Sequence, residues 1–213
     1  LRTNFVLDAE SIGAKGRGGL YMHVAQAVYA SALFLDKTAD ENVIDKTYAR
    51  ILKEKRNIVL CGMPSSGKTT VGKEIAKVFG KKFIETDDVV VEKKKESISD
   101  IFEKYGEGEF RKEERLAIEE LSKENGLVIA TGGGAVLDEN NVRALRRNGV
   151  ILFLDRSLEN LVATADRPLS KDKEKLKNLF EKRYDVYKSC ADAVIPADGE
   201  IADVVEKIKG VLL

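Results

Sequence analysis

Residues 57–80, NIVLCGMPSSGKTTVGKEIAKVFG, set an apolar run of strand length, a glycine-bounded loop and an amphipathic helical stretch in immediate succession. The loop, GMPSSGKTT, fits Gly-x-x-x-x-Gly-Lys-[Ser/Thr], a pattern whose backbone N–H groups converge on phosphate oxygens at a helix N-terminus. Lys68 supplies a cation for the β and γ phosphates, and the Thr69 hydroxyl can bind Mg²⁺. Because strand, loop and helix occur in that order, the segment predicts an α/β domain with a nucleoside triphosphate at the carboxyl end of its first strand. Which acceptor receives the phosphate, the loop alone leaves open.

The rest of the chain continues this rhythm. NIVLC, FIET, LVIAT, VILFL and AVIPA read as strands separated by helical stretches, so a parallel sheet wrapped by helices is expected. With 213 residues there is room for one such domain and an appendage. The 36 basic and 36 acidic residues cancel, so no net field draws the chain to nucleic acid or to a membrane surface. Cys61 and Cys190 are read as buried, reduced thiols of a cytoplasmic protein. The run EKKKE at residues 92–96 is read as a solvated face.

Residues 1–37 differ in character. Between 20 and 35, LYMHVAQAVYASALFL carries no charge, yet it is shorter than the ~20 residues that cross a bilayer. It lacks the lead-in and cleavage site of a signal peptide, so a buried helix is expected there. The chain begins with leucine, which suggests an upstream part. A connector helix is expected over residues 38–55, opened by a capping box from Thr38 to Glu41, with Ile44, Tyr48, Ile51 and Leu52 on one face.

Several further residues carry chemistry. Glu85 and Asp87, at a strand's carboxyl end, share a face by the two-residue strand period and could hold a metal's water shell or accept a hydroxyl proton. A helix N-cap at Asp87 or Asp88 is the alternative. In GEGEFRKEE, Phe110, Ala117 and Leu121 form an apolar stripe, while Glu114 can orient Arg111. ATGGGA follows a strand, and Gly132, Gly133 and Gly134 leave room for something to press on the backbone. Arg183 falls on an inward stripe with Leu176, Phe180 and Tyr187, a costly place without an anion or an ion-pair partner. DRPLS puts Arg167 on a mobile cover.

Taken together, GMPSSGKTT, ETD, GEGEFRKEE, TGGG, RPL and KRYDVY resemble, in order, the motifs of shikimate kinase, a member of the nucleoside-monophosphate-kinase-like group. The resemblance implies a three-layer α/β/α P-loop kinase with a five-stranded parallel sheet, here with an N-terminal helical appendage. It implies ATP with Mg²⁺, and shikimate as acceptor at its 3-hydroxyl, giving shikimate 3-phosphate on the route to chorismate and the aromatic amino acids. Ser65, Ser66, Gly67, Lys68, Thr69 and Thr70 would wrap the ATP phosphates, and Thr69 with Glu85 would hold the metal. Asp87 would bind the ring hydroxyls and act as base. Arg111 and Arg183 would grip the carboxylate, with Glu114 orienting Arg111. Gly132, Gly133 and Gly134 would approach the ring, and Arg167 would close over the phosphates. Glu85 stands where the family usually has aspartate, and the lid TADRPLSKDKE shows no counterpart of a second lid arginine.

The run GGLYMHVAQAVYASALFL resembles the C-terminal end of shikimate dehydrogenase through Gly19, Leu20, Met22, Gln26 and Ala27. That implies a dehydrogenase–kinase fusion whose full-length parent also reduces 3-dehydroshikimate with NADPH, which this chain could not do. It also leaves an orphan apolar helix, expected to bury itself against the connector and a second copy in a homodimer. Two other readings of the kinase zone stay open: a kinase of another small hydroxylated carboxylate such as gluconate, or of a nucleotide, and a silent shikimate-binding module.

Overall fold

The computed structural model describes residues 1–16, 18–161 and 173–212. Five strands, β1 (Asn57–Cys61), β2 (Lys82–Glu85), β3 (Leu127–Ala130), β4 (Gly149–Asp155) and β5 (Ala193–Pro196), pair in the order β2-β3-β1-β4-β5. Every pairing is parallel, with Val59 opposite Ile129 on one side and Ile151 on the other. The expected five-stranded parallel sheet is therefore the observed one.

All of β1 is buried, because helices cover both faces of the sheet. Val59 and Cys61 face a core shared with Ile118 of α6 (Ile98–Leu121), Leu145 of α7 (Glu139–Asn148) and Tyr187 of α8 (Lys173–Cys190). Ile58 and Leu60 face the other side, with Ile75 of α4 (Lys68–Phe79) and Ile208 of α9 (Ile201–Leu212). Two-residue alternation along one strand thus assigns its side chains to two separate cores. The Cys61 and Cys190 thiols are both buried and free in the first of them.

The strand order places a switch point between β1 and β3. The chain leaves β1 through α4 toward β2, and leaves β3 through α7 toward β4, on opposite sides of the pair. A crevice opens at the carboxyl ends of strands where such paths diverge. Along its rim run α5 (Thr86–Lys94) and α6, which breaks at Gly106 and restarts before Phe110. Lysines of the EKKKE run pair with α6: Lys94 with Glu109 at 3.2 Å and Glu113 at 2.9 Å, and Lys93 with Glu120. The run is thus solvent-exposed for the most part, as expected, with two of its lysines also ion-paired to α6.

Three helices precede the sheet. α1 (Asn4–Ser11), which no sequence signal marked, lies against α7, and Arg2 beside it donates from Nε to the Arg146 carbonyl at 2.9 Å. Its Nη2 donates to the Gly149 carbonyl at 2.7 Å, so one side chain satisfies carbonyls that the end of α7 leaves open. The connector α3 (Glu41–Lys55) starts later than the capping box at Thr38 predicted. Asp40 is its cap, accepting from the Asn42 N–H at 2.9 Å. A carboxylate adjacent to the positive helix end outcompetes a hydroxyl two residues further out. The far end of α3 is held to the sheet domain by Lys81, whose Nζ donates to the carbonyls of Lys53, Glu54 and Arg56.

The expectation of a buried helix over residues 20–35 needs correction. α2 (Leu20–Phe34) packs on α3, with Tyr21 donating to Asp45 at 3.0 Å and stacking edge-on to Tyr48. Only Val24 and Ala32 are buried, while Leu33 and Phe34 are 81% and 89% exposed. Its apolar residues point all round the axis, so a single neighbour covers one side only. Among the described residues no helix is long and apolar enough to cross a membrane.

Candidate active site

The loop between β1 and α4 is shaped by its backbone. Ser65 and Gly67 both adopt left-handed conformations, φ 65° and 91°, which turn successive N–H groups to one side. Gly62 has no room for a side chain, since a Cβ there would lie 2.8 Å from the Leu154 carbonyl oxygen. Gly67 caps α4, so the open N–H groups of the helix's first turn and the positive end of its dipole meet at the crevice.

A cavity of about 400 Å³ lies over this loop. Ser65, Gly67, Lys68, Thr69 and Thr70 line it from the loop and helix. Ser66 does not: it is buried beneath the loop with its Oγ 3.0 Å from where a Gly62 Cβ would sit. Its hydroxyl therefore does not line the cavity as expected. Lys68 is buried and folds back, its Nζ donating to the carbonyls of Gly62 at 2.9 Å and Met63 at 2.7 Å.

Glu85 and Asp87 line the same cavity, but not by a shared strand face. The strand ends at Glu85 and the chain enters α5 at Thr86, so the two-residue period stops between them. Nor does either aspartate cap that helix; Glu85 holds the cap position, and Asp87 and Asp88 sit in the first turn. Thr69, Glu85 and Asp87 give a set of hydroxyl and carboxylate oxygens beside a phosphate cradle, which suits Mg²⁺ carried on phosphates and water. Among the described residues no three His, Cys, Asp or Glu side chains form a closed cage.

At the other end of the crevice the glycine run is crowded by the chain's own side chains. A Cβ on Gly132 would lie 2.5 Å from Asp87 Oδ1 and 2.6 Å from Glu114 Oε1. One on Gly134 would lie 2.6 Å from the Arg111 guanidinium carbon. Gly133 offers its carbonyl to Arg183 Nη1 at 3.1 Å and to the Tyr187 hydroxyl. The run is pinned from below by its Gly132 N–H, which donates to the buried Thr86 Oγ1 at 2.9 Å.

Two arginines and two carboxylates thus surround three glycines. Glu114 is 1% exposed and accepts from Arg111 Nη1 at 2.7 Å; Glu107 takes Arg111 Nη2 at 3.0 Å. Burial lifts the Glu114 carboxyl above its ordinary value, against the pull of Arg111. Arg183 is 8% exposed and, among the described residues, forms no ion pair with a carboxylate; a carbonyl is its partner. Among the described residues, the structural ion pair that sequence left as an alternative does not appear. Burial pushes the Tyr187 hydroxyl up to about 12, so it stays a neutral donor to Gly133.

Arg167 and the rest of its segment lie outside the described residues. Thr86 and Tyr187 escaped the sequence reading as polar members of the site, because Thr86 sits within the acidic run ETDD and Tyr187 on an apolar stripe. Arg156, which lines the cavity after β4, was also missed. Its only signal was a basic residue directly following a strand whose carboxyl end faces the crevice.

The family model described as "Shikimate kinase" matches residues 64–212. The sequence is 40% identical over 163 residues to a shikimate kinase of Clostridium botulinum, covering 75% of this chain and 98% of that protein. It is 42% identical over 159 residues to one from Sulfurihydrogenibium sp., covering 72% and 95%. Among solved structures, the shikimate kinase of Acinetobacter baumannii in complex with shikimate superimposes with a TM-score of 0.72 at 31% identity, covering 77% of this chain and 96% of that one.

Proposed function

The chain belongs to the shikimate kinase family, and on that premise we propose how its residues transfer phosphate from ATP to the 3-hydroxyl of shikimate. This is a step of aromatic amino-acid biosynthesis. The ATP phosphates lie on the N–H groups of the loop and the first turn of α4, cradled by Ser65, Gly67, Thr69 and Thr70. Lys68 leaves its loop carbonyls to meet the charge that develops on the transferring phosphate. Thr69 and Glu85 would hold Mg²⁺, which would supply neutralisation of phosphate charge.

Asp87 takes the proton of the 3-hydroxyl, and Arg111 and Arg183 hold the shikimate carboxylate. Gly132, Gly133 and Gly134 form the floor beneath the ring, and Arg167 closes over the phosphates. The observation that carries the acceptor assignment is Arg183: a buried guanidinium with a carbonyl as partner, beside an Arg111 already fixed by Glu114. Such a pair suits one small carboxylate. ADP release measured with and without shikimate tests the whole reading. Release driven equally by gluconate, or none with any acceptor, overturns it.

We further infer that residues 1–37 are the C-terminal end of a shikimate dehydrogenase, 38–55 a connector and 56–213 the kinase. The family match begins at residue 64, well past this segment. In a full-length parent that also reduces 3-dehydroshikimate, the rest of the dehydrogenase would cover the exposed face of α2. In this chain a second copy covers it, giving a homodimer, because Met22, Tyr29, Leu33 and Phe34 are each more than half exposed on this one helix. The two buried free thiols favour a cytoplasmic location.

A further inference from the structure

β4 runs parallel to β1 with Phe153 opposite Cys61, so the residues after each lie side by side at the crevice. The contact is close enough that Gly62 admits no Cβ beside Leu154. Arg156, two residues further on, stands against the phosphate loop: its Nη1 is 4.0 Å from where a Gly67 Cβ would sit. It lines the same cavity as Lys68, Thr69 and Asp87.

This guanidinium is only partly exposed, its Nε is shielded from solvent, and among the described residues it makes no hydrogen bond or ion pair. Asp198 feels its charge, but that carboxylate's Oδ1 is occupied by the Ser157 N–H and hydroxyl and the Asn160 amide. A cation partly withdrawn from water without a partner loses hydration for nothing unless an anion arrives. Its planar fork of donors is suited to phosphate oxygens.

We propose that Arg156 binds the phosphate chain of the nucleotide from the β4 side of the cavity, at the phosphates that ATP and ADP share. It is a substrate-holding residue anchored directly after the end of β4. The proposal rests on the cavity being the ATP site.

Calorimetric titration of ADP and of adenosine, with steady-state kinetics, tests it on Arg156→Ala and Arg156→Lys. In Arg156→Ala the Kd for ADP and the KM for ATP rise at least about tenfold, as expected for loss of a charge-assisted hydrogen bond. Arg156→Lys recovers part of that loss, while the KM for shikimate, the Tm and adenosine affinity stay at wild-type values. An ADP Kd within about twofold of wild type overturns the proposal. So does an equal loss of adenosine affinity, which would assign Arg156 to the base. Failure of the wild-type protein to bind ADP would instead overturn the reading of the cavity itself.

Discussion

The phosphate loop gathers its donors from one continuous segment, whereas the opposite end of the crevice draws Asp87 from α5, Arg111 and Glu114 from α6, and Arg183 and Tyr187 from α8. The first end works through backbone conformation, with left-handed Ser65 and Gly67 setting the direction of N–H groups. The second works through side chains that meet over three glycines. Polyanion binding by backbone needs only a short, correctly turned chain. Gripping one small carboxylate needs several long side chains brought to a common point, each with its own support. The two ends should therefore fail separately when mutated.

The strongest way to break this comparison is Lys68→Ala, which removes the one fixed cation of the loop. A loss of about a thousandfold in kcat is expected, the upper range for one preorganised donor. A variant retaining a tenth of wild-type kcat would show that backbone alone does the work. Asp87→Asn, which sits where the two ends meet, should cost about a hundredfold in kcat and leave ATP affinity nearly intact. Parallel loss of ATP binding would place Asp87 in the phosphate end instead.

Arg183→Leu sharpens the other end. The leucine suits the stripe of Leu176 and Tyr187, so stability holds while shikimate affinity falls roughly tenfold to a hundredfold. A destabilised protein with unchanged shikimate KM would mean that its bond to Gly133 is the whole of its role. Gly134→Ala acts through Arg111: the new methyl meets the guanidinium at the far end of that side chain rather than backbone. About a tenfold rise in shikimate KM with unchanged Tm and ATP affinity is expected, roughly one hydrogen bond to a charged group.

The smallest effect belongs outside the crevice. Deleting residues 1–37 should leave kcat and both KM values within about twofold, since every residue assigned to chemistry comes later. Light scattering should report a monomer, and Tm should fall because Arg2 no longer caps α7. A shortened protein that stays dimeric, or a monomer that loses activity, would overturn the account of α2.

Local signals made much of this legible. The five strands, the turn into α4 and the inward stripe of α8 are periodicities of neighbouring residues, set by backbone geometry before any tertiary contact forms. Glu114 and Arg111 share one helix three residues apart, so their meeting follows from the helical repeat. The same reasoning misplaced Asp87, because a strand period carries no notice of where the strand stops. It also placed the start of α3 at Thr38, because two acceptable caps lie two residues apart and their competition is settled by geometry.

By itself, then, the sequence determined a parallel α/β fold, a phosphate-binding loop and the identities of most charged groups around it. Only the tertiary structure decided that the space beside Gly132 and Gly134 is taken by Asp87, Glu114 and Arg111, that Tyr187 and Arg183 share one carbonyl, and that Arg156 faces Gly67. These contacts join residues from 18 to nearly 90 positions apart, brought together by a strand order in which β1 lies between β3 and β4. The exposed face of α2 has the same cause. Composition made the helix apolar on all sides, but only the packing of α2 on α3 determined which side would be covered and which left open.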